Sequence, residues 1–94
     1  MKIRWTRTAL QNLSAEAEYI ARDSPTAAGK MLARLKKALN LLAGQPSMGR
    51  AGRIPNTREL IIPETPYIIP YRIHNEQIEI LRVFHTARKW PADL

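Results

Sequence analysis

The sequence predicts an α+β fold in the order β-α-α-β-β-β, with a helical hairpin packed on a small antiparallel sheet. Three observations carry this. Two apolar stripes with helical spacing come early and are joined by very few residues. From residue 57 the pattern turns to short Ile- and Tyr-rich runs separated by turn residues. The length, 94 residues, suits a single domain over 1–94, near the usual mode of about 100–150 residues.

Lys2, Ile3, Arg4 and Trp5 alternate, so residues 2–5 form a short strand with Ile3 and Trp5 on one face. Thr6 or Thr8 can cap a first helix over about 8–22. Its stripe is Leu10, Leu13, Ala17 and Ile20, with Glu16 and Glu18 off it. Ser24-Pro25 supplies a capping hydroxyl and a proline whose missing N–H costs nothing at the first helical position. The second stripe, Ala28, Met31, Leu32, Leu35, Ala38, Leu39 and Leu42, predicts a helix over about 25–43. Gly44 stands where a left-handed residue would end that helix, and Pro46 blocks continuation.

Residues 44–56 hold Gly44, Gly49, Gly52, Pro46 and Pro55 and read as a loop. Residues 57–62 form a strand, 63–66 a turn and 67–73 a second strand. Pro70 interrupts that strand and calls for an edge position or a bulge. After a turn at 74–77, residues 78–84 form the most apolar strand. It would be central, with Ile78, Ile80, Arg82 and Phe84 on one face and Glu79, Leu81 and Val83 on the other. The first strand joins this meander at one side. A basic tail follows, from His85 to Trp90 and Pro91.

The chain has 15 Lys or Arg, 8 Asp or Glu and a net charge of +7. Such a protein is drawn to polyanions: nucleic acid, an acidic protein or an anionic membrane. The basic helix carries no Trp or Phe, which disfavours the membrane. No acid lies between Asp23 and Glu59, while Lys30, Arg34, Lys36, Lys37, Arg50, Arg53 and Arg58 do, so a local positive patch is expected. The absence of cysteine excludes disulfides, a thiolate nucleophile and thiolate metal ligands. The two histidines, His74 and His85, make no metal site, and no cofactor is expected. No apolar run is long enough to span a bilayer and no signal peptide opens the chain, so a cytoplasmic protein is expected.

The candidate functional groups are cationic. Arg58, Arg72 and Arg82 could share one sheet face, with His85 beside them. Cleaving RNA next to a 2′-OH needs a base, an acid and cations, which His85, Glu59 and these arginines could supply. The alternative is that Glu59 and Glu79 merely pair with arginines and His85 meets a backbone carbonyl. Arg50, Arg53, Arg88, Lys89 and Trp90 are candidates for binding a target or nucleic acid. The helical stripes exceed what one small sheet can cover, so Leu10, Leu13, Leu35 and Leu39 are candidates for meeting a partner helix.

The run Gly49 to Leu60, the strand Pro66-Tyr67-Ile68-Ile69-Pro70-Tyr71-Arg72-Ile73, the strand Ile78 to His85 and the ending Ala87-Arg88-Lys89-Trp90-Pro91 together resemble the RelE/ParE superfamily of bacterial type II toxin–antitoxin toxins. The resemblance covers nearly the whole chain. It implies a RelE/ParE-like fold and a toxin neutralised by an antitoxin with a disordered segment, here acidic to match the charge, in a toxin–antitoxin hetero-oligomer. RelE-type members cut mRNA on the ribosome; ParE-type members inhibit DNA gyrase. RelE-type nucleases use a C-terminal Tyr, and this chain has none after Tyr71. Some place an Arg where Ile68 stands. The strand around Tyr67 and the Val83-Phe84-His85 ending favour the ParE-like branch and gyrase. The alternatives are a metal-independent mRNA interferase using His85, Arg58, Arg72 and Arg82, and a non-toxic nucleic-acid-binding module.

Overall fold

The computed structural model describes residues 1–90, so the Pro91 expected to close the tail lies outside the described residues. The elements are β1 (Lys2–Trp5), α1 (Arg7–Asp23), α2 (Pro25–Gly44), β2 (Arg50–Ala51), β3 (Arg58–Ile61), β4 (Tyr67–His74), β5 (Gln77–Ile80) and β6 (Phe84–His85). The helical hairpin packs on one sheet, as the periodicities require. The sheet has the order β1-β5-β4-β3-β2, with β6 also beside β4. It is mixed, not wholly antiparallel: β1 runs parallel to β5. The hairpin and three strands separate that pair along the chain, so no tight turn forces it to be antiparallel.

Local chemistry sets the ends. Thr6 caps α1 by accepting from the Ala9 N–H at 3.2 Å, and its hydroxyl donates to the Ile80 carbonyl at 2.8 Å. One side chain thereby fixes both the helix start and its seat on β5. Ser24 alone joins the helices. Its N–H closes α1 on the Ile20 carbonyl at 3.0 Å, and its hydroxyl accepts from Ala27 N–H at 3.1 Å to open α2. Gly44 does not end α2 in the left-handed region, contrary to expectation. It lies within the helix, and Gln45 caps it through bonds to the Leu41 and Leu42 carbonyls.

The core lies between the hairpin and one sheet face. Met31, Leu35, Ala38, Leu39 and Leu42 of α2 meet Leu60, Ile69, Tyr71, Ile78 and Ile80, all buried. Tyr71 is fully buried, and burial raises its pKa above the ordinary value of 10.0. Its hydroxyl donates to the Pro46 carbonyl at 2.7 Å and accepts from Gly49 N–H at 3.0 Å. The segment after α2, expected to be loop throughout, is thus tied to the core. Arg50–Ala51 then pairs with β3 as the edge strand β2.

Pro70 reshapes the expected last strand. It lies in β4, an interior strand, and is buried. Its carbonyl accepts from Leu81 N–H at 2.9 Å, but proline offers no N–H in return. The ladder stops after the Tyr71–Ile80 pair and resumes at Ile68–Phe84. Three steps along β4 face four on its partner, which is a bulge. The expected strand 78–84 is therefore split into β5 and β6, and alternation is reset across the break. Ile78 and Ile80 face the helices, whereas Phe84 sits on the opposite face beside Ile68. The shared face expected for Ile78, Ile80, Arg82 and Phe84 does not form.

Candidate functional site

Strand alternation puts charged residues on the sheet face away from the helices. Arg4 of β1, Glu79 of β5 and Arg72 of β4 are direct neighbours across the strands. Glu79 is buried between them. Arg4 donates to its Oε2 from Nε at 3.1 Å and also from Nη2, and Arg72 Nε donates to Oε1 at 2.6 Å. Hydrogen bonds from Arg4 and then Arg72 hold the Glu79 pKa down from 4.5 to about 2. Glu59 of β3 makes a second clamp. Its Oε1 accepts from Arg50 Nε at 3.1 Å and Nη2 at 3.0 Å. Its Oε2 accepts from the Arg53 backbone N–H at 2.9 Å and faces the Arg53 guanidinium at 3.5 Å. In each clamp one buried carboxylate holds two half-exposed guanidiniums, leaving net positive charge facing solvent.

The other concentration of chemistry is at the C-terminal corner. Glu16 of α1 is only 5% exposed. Its Oε1 accepts from the Tyr67 hydroxyl at 3.0 Å, and its Oε2 from Arg88 Nη1 at 2.5 Å. Burial, and then the bond to Glu16, raise the Tyr67 pKa from 10.0 to about 12. The Arg88 pKa is raised by its hydrogen bond to Glu16. The His85 ring meets Tyr67 edge-on at 5.4 Å, and its Nδ1 accepts from Ala87 N–H at 3.1 Å. Two open cavities of about 490 and 310 Å³ flank this corner, and Glu16, His85 and Arg88 line both. Beyond it Trp90 packs on Phe84 at 4.3 Å, with the Arg53 guanidinium 3.9 Å from its ring centre.

The expected constellations do not assemble as the sequence suggested. Arg58 pairs in register with Tyr71 on the helix side and donates to the Ser47 and Gly49 carbonyls at 3.1 and 2.9 Å. Arg72 faces the other way. Arg82 lies in the bulge, its Nε buried without a partner among the described residues. Arg58, Arg72 and Arg82 therefore share no face. Glu59 and Glu79 do pair with arginines, and Arg34 pairs with Glu64 at 3.0 Å. The patch expected between Asp23 and Glu59 is thus partly laced by ion pairs with acids beyond it. Leu35 and Leu39 are core residues, 2% and 8% exposed, because α2 lies flat on the sheet. Leu35 and Leu39 still show an edge to a shallow groove of about 300 Å³, which half-buried Leu13 lines with Leu32 and Lys36; Leu10 is 50% exposed and lies outside that groove. Arg50 and Arg53 belong to the Glu59 clamp, Arg88 to Glu16, and Lys89 is exposed.

Sequence reasoning missed Glu16. The signal was present: Ala9, Leu13, Glu16 and Ile20 also follow helical spacing, and an acid within such a row must find partners.

A helical hairpin on a small mixed sheet, with guanidinium clamps on the open face and a basic segment after the last strand, defines a class of small cationic α+β domain. A model of the family described as the ParE toxin of the type II toxin–antitoxin system, parDE, matches residues 3–90. Y4kP of Sinorhizobium fredii strain NGR234 is 48% identical over 90 residues, 96% of this chain and 93% of Y4kP. Toxin RelE2 of Caulobacter vibrioides is 38% identical over 84 residues, 89% of this chain and 93% of RelE2. A solved chain of the chromosomal ParDE TA system from P. aeruginosa aligns with a TM-score of 0.79 and 27% identity, over 90% of this chain and 95% of that one. The chain belongs to the ParE toxin family of type II toxin–antitoxin systems, within the RelE/ParE superfamily. Among the described residues no helix is long and apolar enough to cross a membrane.

Proposed function

We propose that this toxin arrests growth by binding DNA gyrase, and not by cutting mRNA. The observation that carries the reading is the dispersal of Arg58 and Arg72 from His85, which shares a cavity only with Arg82 of the three candidate arginines. Arg58 is occupied by two carbonyls on the helix side, Arg72 is clamped on the opposite face, and His85 has Nδ1 engaged by a backbone N–H. General acid–base cleavage needs such groups within hydrogen-bond reach of one phosphate. The basic surface is instead spread over the clamps and the Arg88–Lys89 segment, a layout suited to docking. The ParE family match and the ParDE neighbour support the same branch.

A second reading, an mRNA interferase, draws on the gathering of His85, Tyr67, Arg88 and Glu16 at one corner. Purified toxin added to gyrase supercoiling reactions and, separately, to translating ribosomes decides between them. Inhibited supercoiling with intact mRNA is the expected result. Codon-specific cuts that disappear in His85→Ala would overturn it. A cognate antitoxin with an acidic segment completes the reading, its apolar side lying in the groove of Trp5, Leu13, Leu32, Leu35 and Leu39.

A further inference from the structure

The C-terminal segment carries Arg88, Lys89 and Trp90, yet little regular structure holds it. β6 is two residues long. After it Thr86 N–H donates to the Pro66 carbonyl at 2.8 Å, and Arg88 N–H closes a turn on the His85 carbonyl at 3.0 Å. Arg88 and Lys89 are exposed residues. Among the described residues, the side-chain ion pair from this segment to the body of the fold is the Arg88 guanidinium on Glu16, 72 residues away; Trp90 is held separately, on Phe84 and under Arg53.

Glu16 is well suited to that task. Its carboxylate is buried, so the ion pair is less screened than a surface one. The Tyr67 hydroxyl takes one oxygen and leaves the other aimed at the segment. Tyr67 comes from the interior strand β4 and Glu16 from α1, both rigid elements. A third tie from α1 lies close by: Asn12 Oδ1 accepts from Val83 N–H at 3.3 Å. The Arg88 side chain is still 55% exposed, so its outer donors stay free for a target. A long side chain that is already held loses less rotamer freedom on binding.

We infer that Glu16, through its buried ion pair with Arg88, is the positioning residue that presents Arg88 and Lys89 to the target. This rests on the reading of the C-terminal segment as the target-docking element. Glu16 touches no target itself; it acts through Arg88.

The test uses the full chain, with Glu16→Gln, Arg88→Ala, the double variant and Glu18→Gln as a control on the exposed side of α1. Glutamine keeps the size and an acceptor for Tyr67 but loses the charge. Loss of one charge-assisted contact corresponds to roughly a tenfold change. Glu16→Gln is expected to raise the half-inhibitory concentration against gyrase roughly tenfold, and Arg88→Ala by at least as much. The double variant should be no worse than Arg88→Ala, and Glu18→Gln should match the parent. Hydrogen exchange at the amides of residues 86–90 should accelerate in Glu16→Gln, while the helical amides keep their protection. A Glu16→Gln toxin with parental potency and parental exchange would overturn the proposal, as would a double variant clearly worse than Arg88→Ala. If the parent leaves gyrase untouched, the gyrase reading fails, and induced growth arrest replaces supercoiling as the potency readout for the same set. Loss of helical protection in Glu16→Gln would mean that Glu16 serves the core alone, and would also overturn the proposal.

Discussion

At the scale of single residues, the buried carboxylates make the sharpest predictions. The folded-state pKa of Glu79 is depressed from 4.5 to about 2 by its two arginines. The charged form is therefore favoured by folding. Its contribution is fully present above pH 4.5, and it is lost as pH falls from there to about 2. Acid denaturation followed by circular dichroism should show stability declining across that window. Glu79→Gln should lower the melting temperature at pH 7 and flatten the decline, because the glutamine does not titrate. Equal slopes in both proteins would count against the clamp. Tyr71 makes a separate prediction. Removing its hydroxyl strands the Gly49 N–H and the Pro46 carbonyl, so Tyr71→Phe should cost about 1–3 kcal/mol in urea unfolding. Gly49→Ala should also destabilise, since its Cβ would lie 2.6 Å from the Tyr71 ring and hydroxyl. These roles were only partly legible in the sequence. Pairing of Glu59 and Glu79 with arginines follows from their neighbours in alternating strands. Which arginine each one takes depends on which strands are neighbours and in what register, and no single strand shows that. Glu16 was hidden because Leu10 and Ala17 complete an equally regular apolar row, and only tertiary packing chooses between the two rows.

At the scale of elements, both helices and the hairpin between them were legible because caps and stripes agree. Ser24 serves two helix ends at once. Ser24→Ala removes the acceptor for Ala27 N–H, so a loss of about 0.5–2 kcal/mol is expected. Ser24→Asp should retain most of the stability, and it adds a negative charge at the N-terminus of α2. Thermal denaturation of the three proteins checks the order parent, Asp, Ala. The strands were less legible. Pro70 signalled a bulge correctly, but its consequence lies on the partner strand, where residues 81–83 leave the ladder and the face of Phe84 is inverted. A local reading cannot see that effect, because the missing N–H belongs to one strand and the break appears on another. The parallel pairing of β1 with β5 was invisible for the same reason, since direction across a long connection leaves no periodic mark.

At the scale of the whole molecule, the charge of +7 makes the proposed acidic antitoxin segment a partner whose binding should depend on salt. Ion pairs occupy many arginines, among them Arg34, Arg50, Arg53 and Arg88. Lys30, Lys36 and Lys37 on the outer side of α2 are exposed and form no ion pair among the described residues. Lys36 borders the groove where Leu13 and Leu32 lie, so an amphipathic acidic segment can bury its apolar side and still reach that cation. Charges at such a rim are solvated. Their attraction is screened over about 10 Å at 0.1 M salt and about 3 Å at 1 M. The apolar part of the contact is not screened. Antitoxin affinity should therefore fall with salt and level off at a residual value set by the groove, and association should slow more than dissociation quickens. Lys36→Glu should lower the affinity most at low salt, so that the salt dependence flattens, and leave the high-salt plateau nearly unchanged. Leu32→Asp should lower the plateau itself. Surface plasmon resonance across a salt series separates the two effects. An affinity indifferent to salt, or a Lys36→Glu variant weakened equally at every salt concentration, would mean that the antitoxin docks elsewhere.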